Sequence, residues 1–325
     1  GGTFAEVEPV RYLSNRLRRA FLTDYDLIQV VSGTPAWANA AIGAGPPVAL
    51  HVATLTRVER GRVGRYGSLA RLALQNLSMP VINYLDQRAL ARVNHVFVMN
   101  EWLYKVALAQ RAPDDVSLAP PGIDTEVFTP EGDRLSGEYL LAVARWPDYR
   151  KRLDITLHAY AKLRALVRVV PPLFLVGKSA PLAEDLRLAR SLGIAEDVRY
   201  IGALSDVELA AAYRGASAFI STADEEGFGL SILEAMSSGC GVVATRCGGP
   251  EFTIEHGVSG TLVPRRDPAA AATALARLLT DGAFRSAMGI AARARVESAF
   301  SVAHTSAAFV RVWDRLINGN RPCAE

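Results

Sequence analysis

Short runs rich in β-branched residues alternate along this chain with longer stretches rich in alanine and leucine, and that alternation admits little besides parallel α/β sheets. In the first part the runs are Leu27–Val31, Val48–Val52, His95–Met99 and Val116–Ala119. In the second they are Tyr139–Ala144, Leu173–Val176, Val198–Ile201, Ala218–Ser221, Gly241–Ala244 and Thr261–Val263. Strands this continuously apolar need helices on both faces. A length of 325 residues, 50% of them hydrophobic, is enough for two such cores. Proline and glycine punctuate Pro120 to Gly137, including Thr129-Pro130-Glu131-Gly132-Asp133, which marks a linker. The expected domains are 1–128 and 129–300.

Within the second half, the stretch Glu225 to Met236 (EEGFGLSILEAM) carries the strongest chemical signal, with seven residues between Glu226 and Glu234. The strand Ala218–Ser221 precedes it. Gly227 and Gly229 flank Phe228, letting the backbone turn tightly and approach a ligand. From Leu230 the apolar positions Ile232, Leu233 and Met236 fall near helical spacing, and Gly239 sits where a left-handed stop belongs. Strand, glycine turn and helix together make a phosphate-binding layout, because free amides and the positive end of the helix dipole favour an anion. Glu234 lies two turns inside the helix, placed to accept from ribose hydroxyls, and Glu226 lies on the turn, free to face a sugar. Either glutamate alone also fits a blander role, since an acidic residue near a helix start stabilises it by about 0.3–1 kcal/mol.

Further motifs accompany this pair. Gly241 to Thr245 (GVVAT) reads as the next buried strand, followed by Gly248-Gly249-Pro250-Glu251 and then by Gly257 to Pro264 (GVSGTLVP). In that order they resemble the donor half of the family 4 glycosyltransferases with the GT-B fold, the glycosyl transferases group 1, whose E-x7-E motif is matched by Glu226 and Glu234. One departure is Gly241, where the family usually has proline. Pro121-Gly122-Ile123-Asp124 with Phe128 resembles the family's signature at the end of its first domain. The resemblance implies two Rossmann-like domains facing a cleft, and a closing helix, 301–325, that returns to the first domain. In the family Tyr25 to Ile28 would follow two or three strands and a glycine-rich acceptor loop, so the first domain is expected to be incomplete, either as a fragment or with an unusually reduced acceptor half.

The resemblance carries site residues with it. After the strand Tyr139–Ala144, Arg145 and Lys151 occupy the places of the family's two cations, which clamp the diphosphate and stabilise the charge it gains as the glycosidic bond breaks. Gly227, Phe228, Gly229, Leu230 and Glu234 are then donor-binding, as are Gly177 at its strand end and Gly202 with Leu204, where the family holds the nucleobase. His51 is a further catalytic candidate, although the family's histidine falls nearer Ala53, and a packed strand histidine is the alternative.

Other readings are set aside by spacing. Asp24-Tyr25-Asp26 precedes a strand and reads as a solvated turn. The five histidines show no metal-ligand spacing, and Gly177-Lys178-Ser179 lacks the glycine that a phosphate-binding P-loop requires. Gly61, Gly64 and Gly67 form no dinucleotide fingerprint. A net charge of +3 argues against nucleic acid as a partner. Cys240, Cys247 and Cys323 have no metal-ligand spacing and suit reduced thiols in the cytoplasm. The segment 57–71 carries five arginines and one glutamate interleaved with apolar residues. It suits peripheral contact with the inner face of the cell membrane, or a solvated loop. The implied activity is transfer, with retention and without a metal or other cofactor, of a sugar from a UDP- or GDP-sugar to a hydroxyl of a lipid-linked, saccharide or small-molecule acceptor. A nucleotide-sugar epimerase and a non-catalytic nucleotide-sugar-binding protein are the alternatives.

Overall fold

The structure, a computed structural model, describes residues 21–58 and 69–319. Most of the basic segment 57–71, together with Cys323, lies outside the described residues. The chain divides into two compact units, one ending at Pro120 and resuming at Thr305, the other running from Pro121 to His304.

In the first unit β1 (Ile28–Ser32), β2 (Val48–Val52), α1 (Leu69–Arg92), β3 (His95–Val98), α2 (Glu101–Leu108) and β4 (Val116–Leu118) follow one another. The four strands pair in parallel in the order β1-β2-β3-β4. Every residue of β2 is buried, as its unbroken apolar run requires. One face packs Leu50, Val52, Val96 and Val98 into a cluster with Leu90 and Leu103. The other face sets Ala49 and Phe97 against Val312, which lies on α10 (Val302–Asn318). Asn100 starts α2 by accepting from the Leu103 amide at 2.9 Å.

The second unit holds β5 (Leu140–Val143), α3 (Leu153–Leu166), β6 (Leu173–Val176), α4 (Ala183–Ser191), β7 (Val198–Gly202), α5 (Asp206–Gly215) and β8 (Ala218–Ser221). It continues with α6 (Leu230–Ser237), β9 (Val242–Thr245), α7 (Gly249–Thr253), β10 (Thr261–Val263), α8 (Pro268–Thr280) and α9 (Gly282–Ala299). Its six parallel strands run in the order β10-β9-β8-β5-β6-β7. Leu141 belongs to one apolar cluster and its neighbours Leu140 and Ala142 to another, so the sheet is covered on both faces. The capping box at the start of α5 is made, Ser205 Oγ meeting the Glu208 amide at 3.4 Å while the Glu208 carboxylate accepts from the Ser205 amide at 2.8 Å.

The strand order fixes where a ligand belongs. From β5 the chain builds outward through β6 and β7, then returns to the opposite side of β5 and builds through β8, β9 and β10. In open α/β sheets the crevice beyond the carboxyl ends of the two strands where the order reverses is the ligand site. Here those strands are β5 and β8.

Candidate functional site

The loop after β5 delivers Lys151 and the loop after β8 delivers Glu226, and the two side chains meet at the switch point. Lys151 Nζ lies 2.5 Å from Glu226 Oε2, with each side chain 17% exposed. They share the wall of a small cavity with Val143, Ala144, Trp146, Ser221 and Thr222. An ion pair this dry costs desolvation that only close geometry repays, so neither charge can lose its partner cheaply. A lysine and a carboxylate held together at the mouth of a sheet can bind an anion at one end and a hydroxyl at the other.

The two loops are laced by further contacts. The Asp224 amide donates to the Arg150 carbonyl at 2.8 Å, and Thr222 Oγ1 donates to the Arg152 carbonyl at 2.9 Å. Arg152 Nη1 and Arg266 Nη2 each reach Asp224 Oδ2 at 2.8 Å. Bonds from these two arginines outweigh burial and hold the Asp224 carboxyl below the usual carboxylate range. Glu226 is tied to the start of α7 as well, its carbonyl accepting from the Gly249 amide at 2.8 Å. Gly249 is required there: a Cβ would stand 2.7 Å from the Phe228 backbone.

Beyond Glu226, Gly229 adopts φ +90° and precedes α6 with no side chain to cap it. No side chain therefore caps the first turn of α6, which is the condition for an anion site at a helix N-terminus. Leu230, the first residue of α6, is 45% exposed. Glu234, further along the same helix, accepts a hydrogen bond from Tyr213 Oη at 2.9 Å. Burial raises the Glu234 carboxyl above its ordinary value, with the Tyr213 bond opposing that shift. Gly177 and Gly202 close the ends of β6 and β7, the Gly177 amide donating to the Gly202 carbonyl at 3.0 Å. Leu204 is half-buried against the core.

Three sequence candidates stand differently from the picture their order suggests. Phe228 is buried, with Phe252 and Phe300 at ring distances of 6.2 and 5.8 Å, so its side chain belongs to the core and only its backbone faces the turn. Arg145 projects to solvent with its side chain 76% exposed, 3.6 Å from Asp148. The same Asp148 takes two bonds from Arg150, and these hold its carboxyl low. His51 is buried on β2, its Nε2 2.9 Å from the Ala119 carbonyl oxygen, with the Phe309 ring 5.1 Å away. Burial holds its imidazole below its ordinary value. This is the setting of a packed strand histidine.

Asp224, Arg152, Arg266 and Tyr213 escape a reading by motif. Asp224 and Arg152 sit beside Glu226 and Lys151 in charged runs that spacing alone cannot resolve, and nothing in the sequence points from Arg266 or Tyr213 to their partners. Among the described residues no three His, Cys, Asp or Glu lie close enough together to hold a metal ion, and no helix is long and apolar enough to cross a membrane.

A model of the family described as glycosyl transferases group 1 matches residues 125–295, more than half of the chain and nearly the whole of the second unit. The chain belongs to the group 1 glycosyltransferases. Similar members include a D-inositol 3-phosphate glycosyltransferase of Frankia alni, 39% identical over 56% of this chain and 49% of that one. A D-inositol 3-phosphate glycosyltransferase of Stackebrandtia nassauensis is 32% identical over 81% of this chain and 61% of its own. An MMP alpha-(1->4)-mannosyltransferase of Mycolicibacterium hassiacum is 33% identical over 63% of this chain and 50% of its own. The chain spans about half the length of the curated relatives it matches, rising to 61% in one. Among solved structures, sucrose-phosphate synthase from Thermosynechococcus elongatus aligns with 98% of this chain and 80% of its own at a TM-score of 0.75 and 22% identity. Anabaena HepE in complex with UDP and glucose aligns with 96% of this chain and 82% of its own at 0.69 and 19%. At such identities the likeness establishes the fold, which is that of the GT-B glycosyltransferases.

Proposed function

We propose that this group 1 glycosyltransferase takes a sugar from a UDP- or GDP-sugar and transfers it, with retention and without a metal ion, to an acceptor hydroxyl. The Lys151–Glu226 pair at the switch point carries this reading. A nucleoside diphosphate lies with its phosphates on Lys151 and the uncapped amides of α6. There it neutralises the lysine that Glu226 holds in its absence. Glu226, freed from Lys151, turns to the hydroxyls of the sugar, and Glu234, oriented by Tyr213, accepts from the ribose. Gly177, Gly202 and Leu204 offer backbone to the base. Arg145, already at the rim, adds a second cation as the leaving group gains charge.

In the step itself the bond between the anomeric carbon and the diphosphate oxygen breaks as the acceptor oxygen bonds to that carbon on the same face. The acceptor proton passes to the departing phosphate oxygen. Lys151 stabilises the charge that appears on the diphosphate, a service a divalent cation supplies elsewhere, which supports metal independence. Glu226 contributes by binding and not by attack, because its Oε2 is committed to Lys151 or to the sugar. His51, buried and bonded to Ala119, has no part in this scheme.

Candidate acceptors follow from the relatives, and D-inositol 3-phosphate is the first to test. Incubation with UDP- or GDP-hexose and that acceptor in EDTA should release nucleoside diphosphate and give a product with the donor's anomeric configuration, read from its proton coupling constant. An inverted product, or a glycosyl adduct trapped on an aspartate or glutamate, would overturn the mechanism. The same reading places the arginines of 57–71 at an anionic membrane surface. Cosedimentation with phosphatidylglycerol vesicles, absent with neutral ones, checks that part.

A further inference from the structure

We propose that Asp224, gripped by Arg152 and Arg266, is a positioning residue that holds Lys151 in register with Glu226. The proposal rests on those two residues forming the donor site. Lys151 is fixed from both sides by this one aspartate: the Asp224 amide bonds the carbonyl of Arg150 before it at 2.8 Å, and the Asp224 carboxylate bonds the side chain of Arg152 after it at 2.8 Å. Glu226 follows Asp224 by two residues. Any shift of Asp224 therefore moves both members of the pair against each other.

Backbone geometry gives the second, independent observation. Among the described residues Arg152 and Arg266 are the two non-glycine residues with positive φ, at 49° and 59°. The left-handed region is unfavourable for residues with a Cβ and persists where the surroundings over-determine it. Both strained residues aim at the same carboxylate. Arg266 follows β10, so the clamp joins the loops after β5, β8 and β10. Its guanidinium meets Asp224 through Nη2 at 2.8 Å and through Nε at 3.1 Å. Arg152 is further pinned by Asp154, Nη2 to Oδ2 at 2.7 Å and Nε to Oδ1 at 2.9 Å. Neither arginine lines the cavity that Lys151 and Glu226 share. Both act through the pair and not on a ligand.

A merely structural clamp and a positioning clamp separate in the variant Arg266→Gly. Glycine suits positive φ, so relief of strain should leave the melting temperature unchanged or raised. Loss of the guanidinium should nonetheless weaken binding of UDP or GDP about 3-fold, and Asp224→Asn, which loosens both arginines, about 10-fold or more, the scale on which small misplacements act. Hydrogen exchange of the full chain without nucleotide should quicken at 150–153 and 222–226 in both variants. Weaker binding with an unchanged or raised melting temperature in Arg266→Gly supports the proposal. Affinity that merely follows the melting temperature, or exchange at these loops equal to wild type, overturns it. Should the wild type bind neither nucleotide, the donor-site reading fails on its own, and the exchange result still decides whether Asp224 holds the two loops together.

Discussion

On the proposed function, Glu226 and the diphosphate compete for Lys151. A carboxylate 2.5 Å from the lysine must yield before a phosphate can take its place, so on that proposal Glu226 opposes nucleotide binding and serves the sugar. Glu226→Gln should leave UDP or GDP affinity equal or a few-fold tighter, because a repelling charge is gone. Transfer should fall about 100-fold or more, as expected when a group orienting the reacting sugar is lost. Titration beside a transfer assay checks both, and an affinity that falls with the rate would contradict the division of labour. The sequence singles out these two residues through resemblance to the family, Glu226 by its spacing to Glu234 and Lys151 by its place after a strand beside Arg145. It does not single out Asp224, since its partners Arg152 and Arg266 lie 72 and 42 positions away and only the fold brings them together.

Among the elements, α5 and α6 are coupled at the site by the Tyr213–Glu234 bond. Tyr213→Phe removes the hydroxyl and leaves a buried carboxylate less satisfied, a loss of about 1–3 kcal/mol. Burial already raises Glu234, and the tyrosine bond lowers it, so the variant carboxyl protonates at higher pH. Nucleotide affinity should therefore be weaker and should fail at a higher pH on acidification than in wild type. Identical pH profiles would free Glu234 from any ribose role.

A second coupling joins β3 to α10, where His95 Nδ1 lies 2.9 Å from Arg315 Nη2 and His95 Nε2 lies 3.0 Å from Ser117 Oγ, with the Phe97 ring tilted against it at 4.7 Å. Burial, then the charges of Arg315 and Arg111, lower this imidazole from 6.5 to about 4. A pKa depressed on folding stabilises the fold above 6.5 and is lost as pH falls toward 4, by about 3 kcal/mol at most. The melting temperature of wild type should drop across that window more than that of His95→Asn, and equal drops would contradict the coupling. The strands themselves were legible because apolar runs are local. Their order was not, because pairing across the sheet is not written in any one run; the reversal at β5 and β8 appears only in three dimensions.

Taken whole, the chain comprises two units with separate cores, and the family match falls on the second, where the strand order reverses. The first unit has four strands in simple sequence among the described residues and presents no reversal there. On the proposed function, donor binding belongs to residues 121–304, the unit that holds the family match and the reversal. Length and alternation made the two-part α/β design readable. The division itself rests on contacts: the Ile123 amide donates to the Phe300 carbonyl at 2.7 Å, and a Cβ on Gly122 would stand 2.5 Å from Val302 Cα, which sets 121–128 with the second unit.

A metal-independent diphosphate site built on Lys151 is tested by calorimetric titration of wild type and Lys151→Ala with UDP and with GDP in EDTA. One nucleotide should bind the wild type, and the substitution should weaken it about 10-fold or more, the worth of a charge-assisted contact. Binding of neither nucleotide, or equal affinity in the two proteins, would contradict such a site.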